Sequence, residues 1–308
     1  MTLFAMVSFI ISTVLLLVGV AFITLLERKI LGYMQLRLGP NKLGFNGLLQ
    51  PLADAIKLYT KETSITSSLN KNVFFICPPL SLSIAMMIWI SFPFYMPFIS
   101  LKTSLLMFLS ILGLGIYPIL ISGWSSNSNY SMLGAMRALA QTISYEVSLI
   151  FIVMSNMIMF SSMSFSKFCM SQKFFFSLFF SIQVMMLLIS IIAELNRTPF
   201  DFAEGESELV SGFNTEYSSS LFAIIFMAEY MMIMFFSLFL TLMLMGFTKL
   251  NFLNFFFSSA FMFFMIWIRA TLPRYRYDKL MFLSWKIILP LSSFNLIFSM
   301  ILTVFKVY

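Results

Sequence analysis

The chain has 308 residues, of which 60% are hydrophobic and only 10% charged, and its mean hydropathy of +0.96 excludes a water-soluble globular protein. At about 20 apolar residues per membrane-crossing helix, this composition gives room for about eight spans. A formal charge of 19 − 12 = +7 does not point to nucleic acid, because the basic residues flank apolar blocks and form no patch with interleaved aromatics.

Eight apolar blocks follow one another at about 2–26, 73–97, 103–122, 132–158, 174–193, 218–246, 252–270 and 282–305. Within lipid a spanning segment must satisfy its own backbone, so each block is expected to be a helix. The predicted fold class is therefore all-α: a polytopic integral membrane protein with about eight transmembrane helices in a single transmembrane domain, 1–308. The first block is too long for the apolar core of a signal peptide and reads as a span. After it, Leu48, Leu49, Leu52, Ala55, Ile56 and Tyr59 recur at helical spacing, with Asp54, Lys57 and Lys61 on the other face. This predicts an amphipathic surface helix lying either on the membrane or against other protein. No internal repeat supports a repeat-built transporter. The skew to 39 Phe and 26 Met with only 12 Gly suggests an A+T-rich, organelle-encoded gene.

Alternating the spans places loops at about 27–72, 123–131, 194–217 and 271–281 on one side. With the helix ends that flank them, these hold fourteen of the nineteen basic residues. The positive-inside rule makes that side inward and both termini outward. Ten of twelve carboxylates lie in the same inward segments, and the remaining two, Glu146 and Glu229, lie inside spans. Chemistry is therefore expected on the inward side.

Histidine is absent, and Cys77 and Cys169 lie far apart in or beside apolar segments. No sequence-local zinc, haem or iron–sulfur site can be assembled from them, and they read as buried thiols. Glu146 and Glu229 are expected near mid-membrane, where an ionised carboxylate must face the bundle interior. Arg137, Gln141, Tyr145 and Ser148 form a polar stripe beside Glu146. The run from Glu194 to Glu216 holds six carboxylates against the single Arg197. Helical spacing would align Asp201, Glu204 and Glu208 and send Glu206 elsewhere, while Pro199 and Gly205 favour a hinged or re-entrant path. Repulsion among so many acids would leave some protonated near neutral pH, which suits proton transfer. A solvated acidic loop fits the pattern equally, and a stand-alone ion or solute transporter using its midplane glutamates is the rival function.

Two long motifs, Glu27-Arg-Lys-Ile-Leu-Gly-Tyr-Met-Gln-Leu-Arg-Leu-Gly-Pro-Asn-Lys and Asn196-Arg-Thr-Pro-Phe-Asp-Phe-Ala-Glu-Gly-Glu-Ser-Glu-Leu-Val-Ser-Gly-Phe-Asn, closely resemble the subunit-1 family of mitochondrial NADH:ubiquinone oxidoreductase, respiratory complex I. Asp54-Ala-Ile-Lys-Leu-Tyr-Thr-Lys-Glu, Ser144-Tyr-Glu-Val and Arg274-Tyr-Arg-Tyr-Asp extend the resemblance along the whole chain. The resemblance implies a multi-pass subunit of the mitochondrial inner membrane with both termini toward the intermembrane space. It implies proton-path roles for Glu146, Glu194, Glu204, Glu208 and Glu229, and a coupling role for Asp201 and Glu206. Arg28, Arg37, Asp54, Arg197, Phe200, Arg274 and Arg276 would belong to a ubiquinone chamber. Ubiquinone is then a substrate and no cofactor is covalently bound. FMN and iron–sulfur clusters would reside in partner subunits, the partners being peripheral-arm quinone-site subunits, neighbouring membrane subunits and the lipid bilayer, with no nucleic acid.

Overall fold

The computed structural model describes residues 2–92, 102–172, 181–205, 209–245 and 252–305. Their regular structure is all helical, without a strand among them. In chain order the helices are α1 (Thr2–Met34), α2 (Gln50–Thr60), α3 (Lys71–Ile90), α4 (Ser104–Leu114), α5 (Ile116–Ser125), α6 (Asn129–Met159), α7 (Phe165–Ser171), α8 (Ser181–Glu194), α9 (Ser219–Met245), α10 (Phe252–Thr271), α11 (Tyr277–Phe282) and α12 (Leu289–Val304). A π-helical turn, Leu283–Ile288, joins the last two into one continuous apolar rod. Likewise α4 and α5 meet at Gly115 and run on as one span.

Seven of these rods are long and apolar enough to cross a membrane. The block at 174–193 is represented by the shorter α8, and its residues 174–180 lie outside the described residues. Helix α1 does not stop at the first charges. It continues through Glu27 to Met34, so the first inward segment begins two turns later than the polarity of the sequence suggests. The last rod starts at Tyr277, ahead of the apolar block.

Helices α6 and α9 form the centre. Helix α6 packs on α5, α8 and α12, and α9 packs on α1, α3 and α10. Against α9, where α4 and α7 meet it, lies an aromatic core in which Phe108, Phe165, Phe235, Phe236 and Phe239 are fully buried. Phe108 stands 4.8 Å from Phe239 and 5.2 Å from Phe235, ring centre to ring centre. Such offset and edge-on contacts supply the dispersion that holds helices together in lipid, where the hydrophobic effect between spans is weak. Serine and threonine hydroxyls along the spans donate to carbonyls three or four residues back, as at Ser148, Ser155, Ser237 and Thr241. That satisfies them without a tertiary partner.

Helix α2 carries Pro51 in its first turn, where the missing N–H costs nothing. Its Leu49, Leu52, Ile56 and Tyr59 side are each more than half exposed. The predicted amphipathic helix is thus present with its apolar face uncovered by the rest of the chain.

Candidate functional site

The described residues between α8 and α9 are tucked into the end of the bundle that carries the buried ion pairs. Phe200, Phe202, Ala203, Leu209, Phe213 and Tyr217 are buried, and Asp201 is only 7% exposed. This overturns the reading of a solvated acidic loop: six apolar side chains can be buried only by drawing the acids in with them. Close backbone approach makes it possible. A Cβ on Gly212, at φ +54, would fall 1.8 Å from the Ala203 carbonyl oxygen, and one on Gly134 of α6 would meet Gly212 at 2.9 Å. Gln141 of α6 then pins the segment at two places, its Nε2 donating to the carbonyls of Ala193 at 2.8 Å and Phe200 at 2.7 Å.

Asp201 and Glu204 do not lie along a helix as the spacing suggests. Residues 201–205 are a turn that closes when the Glu204 N–H donates to Asp201 Oδ1 at 3.3 Å. Gly205, at φ +42, carries the chain out of helical geometry. Glu206 and Glu208 lie outside the described residues.

Arg197 organises the charges. Its guanidinium reaches Glu229 Oε2 at 3.2 Å and Glu27 Oε1 at 3.8 Å, and its Cζ lies 4.8 Å above the Tyr230 ring. Glu27 is also paired with Arg269 of α10, and its other oxygen accepts from the Tyr230 hydroxyl at 2.6 Å. Burial alone would lower the Arg197 pKa. The surrounding Glu229, Tyr230, Glu27 and Glu204 overcome that and raise it, so the guanidinium is a permanent cation. A few ångströms away, Arg274 reaches Asp201 Oδ2 at 3.3 Å, and Asn214 Nδ2 donates to Glu204 Oε1 at 3.1 Å. Burial first, and then the neighbouring Asp201, raise the Glu204 pKa against the opposing pull of Arg197, Asn214 and Arg269.

A cavity of about 130 Å³ opens beside this cluster, with Glu194, Asn196, Glu204 and Glu229 among its lining and much of the rest made by α3, α5 and α9. Glu194 Oε2 and Asn196 Oδ1 are buried and accept no hydrogen bond from described residues. The cavity is large enough to hold a few waters in contact with such groups. Glu146 stands at the bundle's side, within electrostatic reach of Glu194. Glu229 is in the same relation to Glu204 and Asp201. A series of carboxyls therefore runs from the turn, past the cavity, to the flank of α6. Such a series can hand protons along if its members titrate in the working range.

The structure thus gathers Glu194, Arg197, Phe200, Asp201, Glu204, Glu229 and Arg274, with Glu146 at one end. Phe200 lies between the rings of Tyr145 and Tyr275, at 6.2 and 5.5 Å. Arg276 lines a separate hollow of about 350 Å³ with Arg137, Asp201, Phe202, Gly205, Arg274 and Tyr275, and its own carboxylate partner is the exposed Asp278. Arg28 and Asp54 stand apart, tying α1 to α2 at 2.5 Å, and Arg37 is exposed beyond the end of α1. Glu27, Arg269, Tyr230 and Asn214 were not among the sequence-derived site residues. A signal for the first two exists, since opposite charges sit at the inward ends of two apolar blocks. Cys77 and Cys169 are buried free thiols. Among the described residues no cluster of three or more His, Cys, Asp or Glu could hold a metal.

Comparison with known proteins agrees with this architecture. A family model described as NADH dehydrogenase matches residues 7–300. The chain is 49% identical to NADH-ubiquinone oxidoreductase chain 1 of Aedes aegypti over 291 residues, 94% of this chain and 93% of the relative. It is 47% identical to the protein of the same name from Locusta migratoria over 286 residues, 92% and 91% of the two chains. With that of Phascolarctos cinereus it shares 47% identity over 284 residues, 90% and 89% of the two chains. With a family model matched over nearly its whole length and relatives at about half identity, the chain belongs to the NADH dehydrogenase family.

Proposed function

We propose that this chain is a core membrane subunit of proton-translocating NADH:ubiquinone oxidoreductase, forming much of the ubiquinone chamber and an acidic path that couples quinone reduction to proton pumping. The observation that carries the reading is the buried Arg197, shared by Glu27 and Glu229 beside a cavity lined by Glu194, Glu204 and Glu229. Without histidine, and with two isolated buried thiols, the chain supplies no donor set for a redox cluster. FMN and iron–sulfur clusters therefore belong to partner subunits of the peripheral arm, which deliver the electrons. The chain is one transmembrane domain in the mitochondrial inner membrane, its termini toward the intermembrane space and its charged end toward the matrix and those partners.

Reduction of a quinone to the quinol takes two electrons and two protons. On this reading Arg197, Arg274 and Phe200 shape the inner wall of the chamber, with Arg28, Arg37, Asp54 and Arg276 toward its mouth or toward partner subunits. Negative charge arising on the quinone adds to the burial and the Asp201 carboxylate that already favour the protonated form of Glu204. Glu206 and Glu208 are taken as further members of the same acidic path. A proton gained there changes how Arg197 divides its charge between Glu27 and Glu229. That shift passes through the cavity to Glu194 and on to Glu146 at the flank.

Photo-crosslinking with an azido-ubiquinone analogue in native membranes, with and without a quinone-site inhibitor, tests the chamber. Inhibitor-sensitive labelling within 28–60 or 197–230 is the expected result. Labelling of partner subunits with none on this chain would reduce it to a scaffold. Isolation of the chain alone or as a homo-oligomer, outside a far larger particle, would favour a transporter instead.

A further inference from the structure

Gly113 lies inside α4, where its backbone is ordinary helix. It is absent from the positive-φ glycines, which are Gly44, Gly47, Gly205 and Gly212. Glycine in a helix interior is destabilising relative to alanine, so backbone conformation gives no reason for it here. Space does. A Cβ at position 113 would stand 2.9 Å from Glu146 Oε1, 3.7 Å from its Cδ and 3.9 Å from Oε2, so its three nearest atoms all belong to the Glu146 carboxyl group. Other described glycines in close quarters meet something else. Gly123 faces Ala135, Gly134 faces Gly212, Gly47 faces the Pro40 carbonyl, and Gly19 faces the Met234 sulfur. Only Gly113 is open toward the end of an ionisable side chain.

We infer that Gly113 is a positioning residue for Glu146: the bare α4 backbone is the seat of the Glu146 carboxyl group, and the missing side chain sets where that group stands relative to Glu194. The inference rests on the reading of Glu146 as a member of the proton path and adds the element that places it. The geometry makes the idea separable from folding. The atoms in the way of an alanine are the far end of a flexible side chain, which can swing aside cheaply, and alanine is the better helix former. Gly113→Ala is therefore a substitution that displaces the acid and leaves the bundle intact. A purely structural glycine would behave in the opposite way.

The test compares four forms of the assembled enzyme in sealed membrane vesicles: native, Gly113→Ala, Glu146→Gln and the double variant. Two quantities are read, the quinone-dependent rate of proton translocation and the infrared carboxyl band assigned to Glu146 by its loss in Glu146→Gln. Gly113→Ala is expected to assemble normally, shift the band and slow translocation by about tenfold, within what an ångström-scale misplacement of a working group can cost. In the Glu146→Gln background it is expected to add no further loss. A native band and rate in Gly113→Ala would overturn the inference. So would an equal fractional loss in both backgrounds, or failure of Gly113→Ala to assemble. Should Glu146→Gln alone translocate at the native rate, the proton-path reading fails, while the infrared band still reports whether Gly113 seats the carboxyl group.

Discussion

The two halves of the bundle are held together by different physics. In the aromatic half, Phe108, Phe165, Phe235, Phe236 and Phe239 share many small contacts. No single one is decisive, because dispersion is spread over every atom pair. In the charged half, a few charges sit out of water, and each has a small number of specific partners. Removing a partner there strands a charge, which costs far more than the pair itself contributes. The comparison teaches where tolerance and function divide. The aromatic half can be repacked, whereas the charged half is brittle.

The substitution expected to do most damage is Arg197→Met, which leaves Glu229 without its ion-pair partner and Glu27 with Arg269 as its one remaining arginine. A loss of about 3–5 kcal/mol, the scale for breaking one side of a buried pair, should appear as failure of the subunit to assemble on native gels. Gln141→Leu comes next. It deletes both bonds that pin the acidic segment, to Ala193 and Phe200, and should cost about 1–3 kcal/mol by leaving carbonyls unsatisfied. Proteolysis between residues 195 and 217 would show it as faster cleavage. Phe239→Leu, in the aromatic half, should cost only about 1 kcal/mol because the volume change is small and neighbours can close in. Loss of assembly with Phe239→Leu, or survival with Arg197→Met, would break the contrast between the halves.

A titration sharpens it further. Burial, then Asp201, raise the Glu204 pKa, so the fold favours the protonated form. The resulting stability is fully present below the ordinary carboxylate pKa and is lost as pH rises through the raised value. Glu204→Gln removes that titration. Heat inactivation of the assembled enzyme should therefore match native at low pH, and the variant should become progressively the more resistant as pH climbs through that window. At the far end of the scale, Arg276→Ala should leave thermal stability unchanged, since Arg276 and Asp278 are 79% and 72% exposed and solvent screens such a pair.

Much of the fold was legible in the sequence because the bilayer permits so few structures. Runs of about 20 apolar residues could only be helices, and the i, i+4 spacing of Leu52 and Ile56 announced α2. Helix ends were less legible. Polarity at Glu27 suggested a loop, yet α1 carries on to Met34, because Arg269, Arg197 and Tyr230 receive the carboxylate inside the bundle. Those partners come from α10, α9 and the segment after α8, and nothing local to Glu27 names them. The acids of the site could be read off as a cluster, but not their order. Asp201 and Glu204 face each other across a turn instead of along a helix. The burial of that turn follows from contacts between glycines far apart in sequence, Gly134 against Gly212.

The central claim is that the charged half is a working proton path, with Glu229 as the acid that shares Arg197. The most direct test is the ratio of protons translocated to electrons delivered in fully assembled enzyme carrying Glu229→Gln. The account predicts a clear fall in that ratio while electron transfer to quinone continues. A native ratio in a normally assembled enzyme would contradict it.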